Sequence, residues 1–390
     1  MSLYLNNAAT SWPKPRVVAE EMSNFILNAG ANLGRGSASD RDVMTLGLVA
    51  DTRAKIATLF DGHSDRDPRY VTFTSNVTEA LNVVIKGFLR PGMTVLTSSV
   101  EHNAVIRPLR SLERKGVRVI VMKCDRNGFL SPSFFEEEIK KHRPNLIILN
   151  HASNVCGAIQ DIEALCGICG DYGLPVVIDA AQAAGHLPIS VSKGDIAALC
   201  FTGHKGLLGP QGTGGIVWRP DFAEAVSPLI EGGTGSFSHE EVQPDKLPDK
   251  FESGTLNLPG IAGLSAAIDW IDARGIKNIA EKSNRLGEKL LDGLLGMPEA
   301  ILYGPKTMAG RLPVFAFNVK GWDNAELAFK LNDRWKIETR PGLHCAPLAH
   351  RTLGTFPEGA LRVSPGPFNE EEDIEFFLNA LSELVKDSGE

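Results

Sequence analysis

Lys205 closes an apolar run, residues 196–201, extended by Thr202-Gly203-His204, and is followed by Gly206, Gly209, Gly212, Gly214 and Gly215. A lysine desolvated in such a place has a lowered pKa, and its neutral amine becomes a nucleophile. The glycines let backbone approach a bulky ligand closely. Taken alone, the same pattern also describes a surface lysine in a flexible turn. Asp179 likewise ends an apolar run, residues 175–179. An unpaired carboxylate there is costly and calls for a cationic partner. A pyridinium nitrogen would serve, and so would capping of the helix that begins at Ala180-Ala181-Gln182.

Cys345 lies in Arg340-Pro341-Gly342-Leu343-His344-Cys345. The flanking His344 and Arg340 are expected to give an electropositive neighbourhood that favours thiolate. The alternative is a buried, inert thiol, for which a glycine-containing loop with charged neighbours is a poor setting. Other chemistries are missing. There is no GxxxxGK[ST] phosphate loop, no GxGxxG fingerprint opening a strand–helix unit and no GxSxG nucleophile elbow. Cys166 and Cys169 form a lone CxxC in a helical pattern; with no second pair at zinc-site spacing, they read as core cysteines one turn apart. Cys156 lies two residues past Asn154 and reads as packing.

The residues just named follow short apolar runs. Residues 70–74, 94–98, 117–122, 145–150, 175–179, 196–201 and 214–218 read as strands without polar alternation, as expected when both sheet faces are covered. Helical spacing recurs at 77–89, 103–114 and 161–172. Such repetition predicts a mostly parallel α/β sheet, whose ligands sit at the carboxyl ends of its strands. Polar residues gather there: Thr78-Glu79, Glu101-His102-Asn103, Ser153-Asn154, Asp179, Gln182 and Thr202. After a Gly-, Ser- and Pro-rich stretch at 231–257 come helices at 260–274 and 276–296. A strand (313–319), a helix (323–333), short strands near 336–340 and 359–364 and a last helix (369–386) complete the chain. A front helix spans 14–29. The expected organisation is an N-terminal segment, 1–15, packing with the small domain; a large domain, 16–256; and a small α+β domain, 257–390.

The 390 residues are 43% hydrophobic and 22% charged, enough for a sizeable core, and the net charge of −7 points to neither nucleic acid nor a membrane surface as partner. Six irregularly spaced cysteines suit free thiols in a reducing compartment. No signal peptide and no apolar run of about 20 residues is visible. The expectation is a soluble, cytoplasmic protein.

The ordered set Thr78-Glu79, Glu101-His102-Asn103, Ser153-Asn154, Asp179 to Gln182, Thr202 to Lys205, Glu252 to Thr255 and Arg340 to Ala346 resembles the class V aminotransferase family. Within it the chain is similar to the cysteine desulfurases, and its short Arg340–Cys345 stretch to their second group, which also holds selenocysteine lyases. The resemblance runs from Tyr4 to Asn369. It implies fold-type I of the pyridoxal phosphate enzymes, with a large mostly parallel α/β domain, a smaller α+β C-terminal domain and a homodimer.

Carried onto this sequence, the resemblance implies that Lys205 holds pyridoxal 5′-phosphate as a Schiff base. Asp179 would pair with the pyridine nitrogen, His102 stack on the ring and Gln182 bond its phenolic oxygen. Thr78, Thr202 and His204 would bind the phosphate, with Thr255 supplied by the partner subunit. Arg362 would clamp the substrate carboxylate, with Asn154 and Arg340 nearby. The implied catalytic set is Lys205, His102 and Cys345. Val77 stands where the family commonly has a second hydroxyl, and Thr202 where serine is usual. The implied reaction converts L-cysteine to L-alanine, leaving a persulfide on Cys345 for an unidentified sulfur-acceptor protein. A use in iron–sulfur cluster assembly is expected. The rival expectation is a selenocysteine lyase, or another class V lyase or aminotransferase.

Overall fold

The computed structural model describes residues 2–33 and 39–387. Strand β1 (Leu3–Tyr4) opens the chain. The main sheet then comprises β2 (Val71–Thr74), β3 (Thr94–Ser98), β4 (Arg118–Met122), β5 (Leu146–Asn150), β6 (Val176–Asp179), β7 (Ala198–Thr202) and β8 (Gly214–Trp218). Its order is β2-β8-β7-β6-β5-β3-β4. Strands β3 to β7 are parallel, whereas β8 is antiparallel to both β7 and β2. These are the seven apolar runs of the sequence, shifted by a residue or two at most.

The runs lack alternation because each face has its own core. Leu96, Ile147, Leu149, Ile178, Leu199 and Phe201 face one way, under helices Asp40–Leu59, Pro132–His142, Ile162–Asp171 and Leu258–Arg274. Val95, Ile148, Val177, Ala198, Cys200 and Trp218 face the other, under helices Val77–Phe88 and Asn103–Glu113. Helix Leu258–Arg274 packs against helices Arg16–Asn24 and Asp40–Leu59. Helix Ile276–Leu295 passes between cores: Ile279 belongs to the sheet, Leu286, Leu290 and Leu294 to the smaller lobe.

In that lobe are β9 (Ala300–Tyr303), β10 (Phe315–Val319), β11 (Ile337–Glu338) and β12 (Leu361–Val363). Strand β10 is antiparallel to both β12 and β9. Helices Ile276–Leu295, Asn324–Trp335 and Glu371–Asp387 enclose Phe315, Phe317, Leu331 and Phe377. Strand β1 pairs in parallel with β11, Leu3 opposite Ile337. The chain beyond it is stitched to Ser364, then crosses to the large sheet, where Ser11 N and Lys14 Nζ donate to the His204 carbonyl at 3.0 and 2.7 Å.

Helices Asp40–Leu59, Pro132–His142 and Pro347–Leu353 and strand β9 lie outside the elements expected from spacing. For Asp40–Leu59 the reason is its buried face, which carries Thr45, Thr52 and Arg53 beside Val49 and Ile56. The polar members erase the apolar stripe on which a periodicity argument depends. Arg53 is buried because Glu252, from the glycine-rich connection, meets it with both carboxylate oxygens, at 2.7 and 2.5 Å. Glu252 also accepts the Phe73 N–H of edge strand β2 at 2.6 Å. One carboxylate therefore fastens a helix, a sheet edge and the loop that carries Thr255.

Removing one partner of such a pair strands a buried charge. Glu252→Ala is therefore expected to lower stability by roughly 3–5 kcal/mol. Asp269→Ala, which breaks the exposed Lys55–Asp269 pair, should cost less than about 1 kcal/mol. Urea denaturation of the two variants side by side checks the contrast.

Candidate active site

A cleft of about 590 Å³ opens where the parallel strands end, lined among others by Ser75, Thr78, His102, Asn150, Asn154, Asp179, Gln182, Thr202, His204 and Lys205. Eight of the residues singled out in the sequence thus meet in one place. The reason is topological: each lies at, or just past, the carboxyl end of its strand, and neighbouring parallel strands bring those ends together. Asn150 and Asp179 are register partners on β5 and β6.

Lys205 lines this cleft, half-buried. Burial pulls its amine down to about 8, against the pull of Asp179, which raises it. The turn after it is tight: a side chain on Gly206 would fall 2.3 Å from the Ala184 carbonyl and 2.6 Å from the His186 ring. Asp179 is buried, and burial raises its carboxyl, partly offset by the Ala181 N–H at 2.9 Å and by Lys205. No arginine, lysine or histidine forms an ion pair with it among the described residues. His102 caps helix Asn103–Glu113, accepting the Ala104 N–H at Nδ1 (3.0 Å). Its proton is therefore on Nε2, and burial, reinforced by Lys205, holds the ring neutral with a pKa lowered to about 4.

Gln182 donates to the Ala8 carbonyl at 2.9 Å, and His204 Nδ1 lies 3.0 Å from Thr10 Oγ1. The N-terminal segment is thus part of the wall of the cleft. Thr78 sits in the first turn of helix Val77–Phe88. There Asn76 accepts the Glu79 N–H (3.0 Å) while Glu79 accepts that of Ser75 (2.6 Å). This reciprocal cap leaves the Val77 and Thr78 N–H groups without intrahelical acceptors. Thr202 makes a long bond, 3.4 Å, to the Thr213 carbonyl. The buried Oδ1 atoms of Asn150 and Asn154 have no partner among the described residues.

Cys345, Arg340 and Arg362 come from the smaller lobe. Arg362 is buried on β12 and donates to the Asn154 carbonyl (2.8 Å) and Asn6 Oδ1 (3.1 Å), while its Nε is unpartnered. Arg340 pairs with it across an antiparallel bridge. Cys345 is exposed, and its carbonyl accepts the Asn103 N–H at 2.8 Å, directly beside His102. It acts electrostatically on both Lys205 and Arg362. The expected positive charge on His344 is absent: burial, then Arg362, lower its pKa to about 2. Lys205 and Arg362, not that histidine, are the cations that act on the thiol. Thr255 is exposed and does not line the cleft itself; with Glu252 it lines a neighbouring cavity that shares Ser75 and Gly212 with the cleft. Cys156 is buried among Val100, Val155 and Ala158, and Cys166 and Cys169 lie in the sheet's core with both thiols raised by burial.

The sequence singles out no role for Glu101. It is fully buried, and burial raises its carboxyl to about 8. Ser98 Oγ and Asn150 N donate to one of its oxygens at 2.5 and 3.0 Å. Its folded pKa is raised above the unfolded value of 4.5. The stability it contributes is therefore full below 4.5 and is lost as pH rises towards about 8, at roughly 1.4 kcal/mol per pH unit. Glu101→Gln is expected to raise the urea midpoint at pH 8 by more than at pH 5.

The aminotransferase class-V pattern matches residues 3–377. A protein of Pyrococcus abyssi named "Probable cysteine desulfurase" is 33% identical over 98% of this chain and 94% of its own. The cysteine desulfurase CsdA of Escherichia coli K12 is 28% identical over 98% and 94%. The apo structure of a cysteine desulfurase from Thermococcus onnurineus superposes with a TM-score of 0.92 at 32% identity, covering 99% of this chain and 95% of that one. Matched along nearly its whole length in sequence and in fold, the chain belongs to the aminotransferase class-V family.

Proposed function

We infer that this chain is a cysteine desulfurase working with pyridoxal 5′-phosphate. It takes L-cysteine to L-alanine and receives the sulfur as a persulfide on Cys345. One observation carries the reading. An amine with a lowered pKa and a buried carboxylate with no ion-pair partner among the described residues line one cleft, and the Cys345 thiol lies within electrostatic reach of that amine.

The residues suit the cofactor. Asp179 offers a carboxylate to a ring N–H⁺, and His102 a neutral ring to stack. Thr78, Thr202, His204 and the helix N-terminus offer donors to a phosphate. Bound there, the cofactor supplies an electron sink for the Cα–H bond of an amino acid. Lys205 holds the cofactor and, released as a neutral amine, takes the Cα proton at Nζ. Arg362, with Asn154 and Arg340 close by, orients the substrate carboxylate. The Cys345 thiolate attacks the substrate sulfur. The carbon–sulfur bond breaks, its electron pair stays with the carbon skeleton, and the skeleton takes up a proton to become alanine. The sulfur remains on Cys345 until an acceptor protein removes it, iron–sulfur cluster assembly being one destination.

The protein acts as a homodimer in this reading, Thr255 reaching the partner's phosphate. Its support is the exposure of Ile26, Leu27, Val43, Met44, Ile230 and Val242, an apolar set that a second copy would cover. No helix among the described residues is long and apolar enough to cross a membrane.

Lys205→Ala is expected to purify without covalently held cofactor. Borohydride reduction and peptide mapping of the wild type should place the cofactor on Lys205, and a reducible bond in the variant would exclude the assignment. Cys345→Ser should still exchange the Cα hydrogen of L-cysteine with deuterated water, yet release no alanine. Mass spectrometry of the wild type after L-cysteine should find one added sulfur on Cys345. Turnover of L-cysteine by Cys345→Ser near the wild-type rate would exclude the persulfide route and favour a lyase, with L-selenocysteine as the alternative substrate.

A further inference from the structure

Two buried histidines stand behind the thiol. His344 precedes Cys345, and His350 lies in helix Pro347–Leu353, with ring centroids 5.2 Å apart. His344 Nε2 is 2.9 Å from the Arg340 carbonyl, and His344 Nδ1 is 3.1 Å from His350 Nε2. His350 Nδ1 is 2.7 Å from Thr355 Oγ1.

The protons in this chain follow from what each atom can do. A carbonyl only accepts, so His344 carries its proton on Nε2. Burial, then Arg362, lower the pKa of His344 to about 2 and of His350 to about 4. The charged side chains acting on the pair are Arg362 and Arg340, and no carboxylate favours an imidazolium. Both rings are therefore neutral near pH 7. His344 Nδ1 must then accept, His350 Nε2 must donate, and His350 Nδ1 must accept from the Thr355 hydroxyl. A single line of donors runs from Thr355 through both rings to the Arg340 backbone, and all four ring nitrogens are used.

The loop so anchored is strained. His344 and Cys345 have φ of 48° and 55°, in the left-handed region that side chains with a Cβ seldom adopt. Two backbone ties complete the clamp: Asn154 Nδ2 donates to the His344 carbonyl and Asn103 N to the Cys345 carbonyl, both at 2.8 Å.

We propose that His350 is a positioning residue for sulfur transfer, holding Cys345 in its left-handed conformation through the hydrogen bond it donates to His344. The proposal rests on Cys345 as the sulfur acceptor. It separates two halves of the reaction, because among the described residues no hydrogen bond joins Lys205 or Asp179, which serve proton abstraction, to the histidine pair. Misplacing an attacking atom by an ångström costs up to about 10²-fold.

The test compares holoenzymes carrying His350→Leu, which removes donor and acceptor, and His350→Gln, which keeps an N–H and an oxygen. Alanine release from L-cysteine should fall roughly 10- to 100-fold in His350→Leu. Exchange of the Cα hydrogen with deuterated water should stay near wild type, and His350→Gln should recover most of the loss. In wild-type protein labelled with ¹⁵N-histidine, both rings should show the Nε2–H tautomer at neutral pH, and the His344 signal should move in His350→Leu. Unchanged alanine release in His350→Leu, equal loss of exchange and release, or an Nδ1–H tautomer on either ring would each overturn the proposal. Cys345→Ser run alongside separates the two readings: should it make alanine at the wild-type rate, the acceptor role of Cys345 fails, and this proposal with it.

Discussion

Asp179 is a carboxylate buried at the end of a parallel strand, with no ion-pair partner among the described residues and Lys205 as the cation that acts on it. The surrounding fold can be understood from that one cost. A buried charge without a partner is unfavourable, and the Ala181 N–H and Lys205 relieve it only in part. Lys205 is itself half-buried and pulled down to about 8. The two opposed groups are held in place by parallel β5, β6 and β7 and by the glycine-lined turn after β7. A cationic ring entering the cleft would offset the cost of burying the carboxylate.

Around that centre the protein spends its rigidity on backbone placement. The helix after β2 starts with a reciprocal cap, and its free N–H groups face the cleft beside Thr78. The His204 carbonyl is gripped by Ser11 and Lys14 from the far end of the chain, which fixes the peptide just before Lys205. Arg53 and Glu252 fasten the connection that carries Thr255. Each device uses a charge or a polar cap to hold a stretch of backbone.

Neutral histidines are a second theme. His102 and His344 each carry their proton on Nε2 because Nδ1 accepts, and burial beside cations keeps them uncharged. A neutral ring at His102 suits stacking on a cationic ring better than an imidazolium would, since like charges would repel. At His344 the same neutrality turns a residue that reads as a charge donor into a structural link. The positive charges that act on Cys345 are therefore those of Lys205 and Arg362.

Much of this was legible in the residues alone. Apolar runs ending in Asp179 and Lys205 locate the sheet and the carboxyl-end cleft, because a strand buried on both faces has a distinctive composition and parallel strands align their ends. Helix Asp40–Leu59 was not legible, because Thr45, Thr52 and Arg53 face inwards: the two threonines donate to carbonyls of their own helix, and Arg53 finds Glu252 far along the chain. The protonation state of Glu101 and the place of His350 were not legible, because a buried polar residue acquires its protonation state from neighbours that only folding supplies. Local sequence determines where the chain can be buried and which groups stand at strand ends. Tertiary structure alone decides which of those groups are charged, because charge depends on burial and on partners brought from elsewhere in the chain.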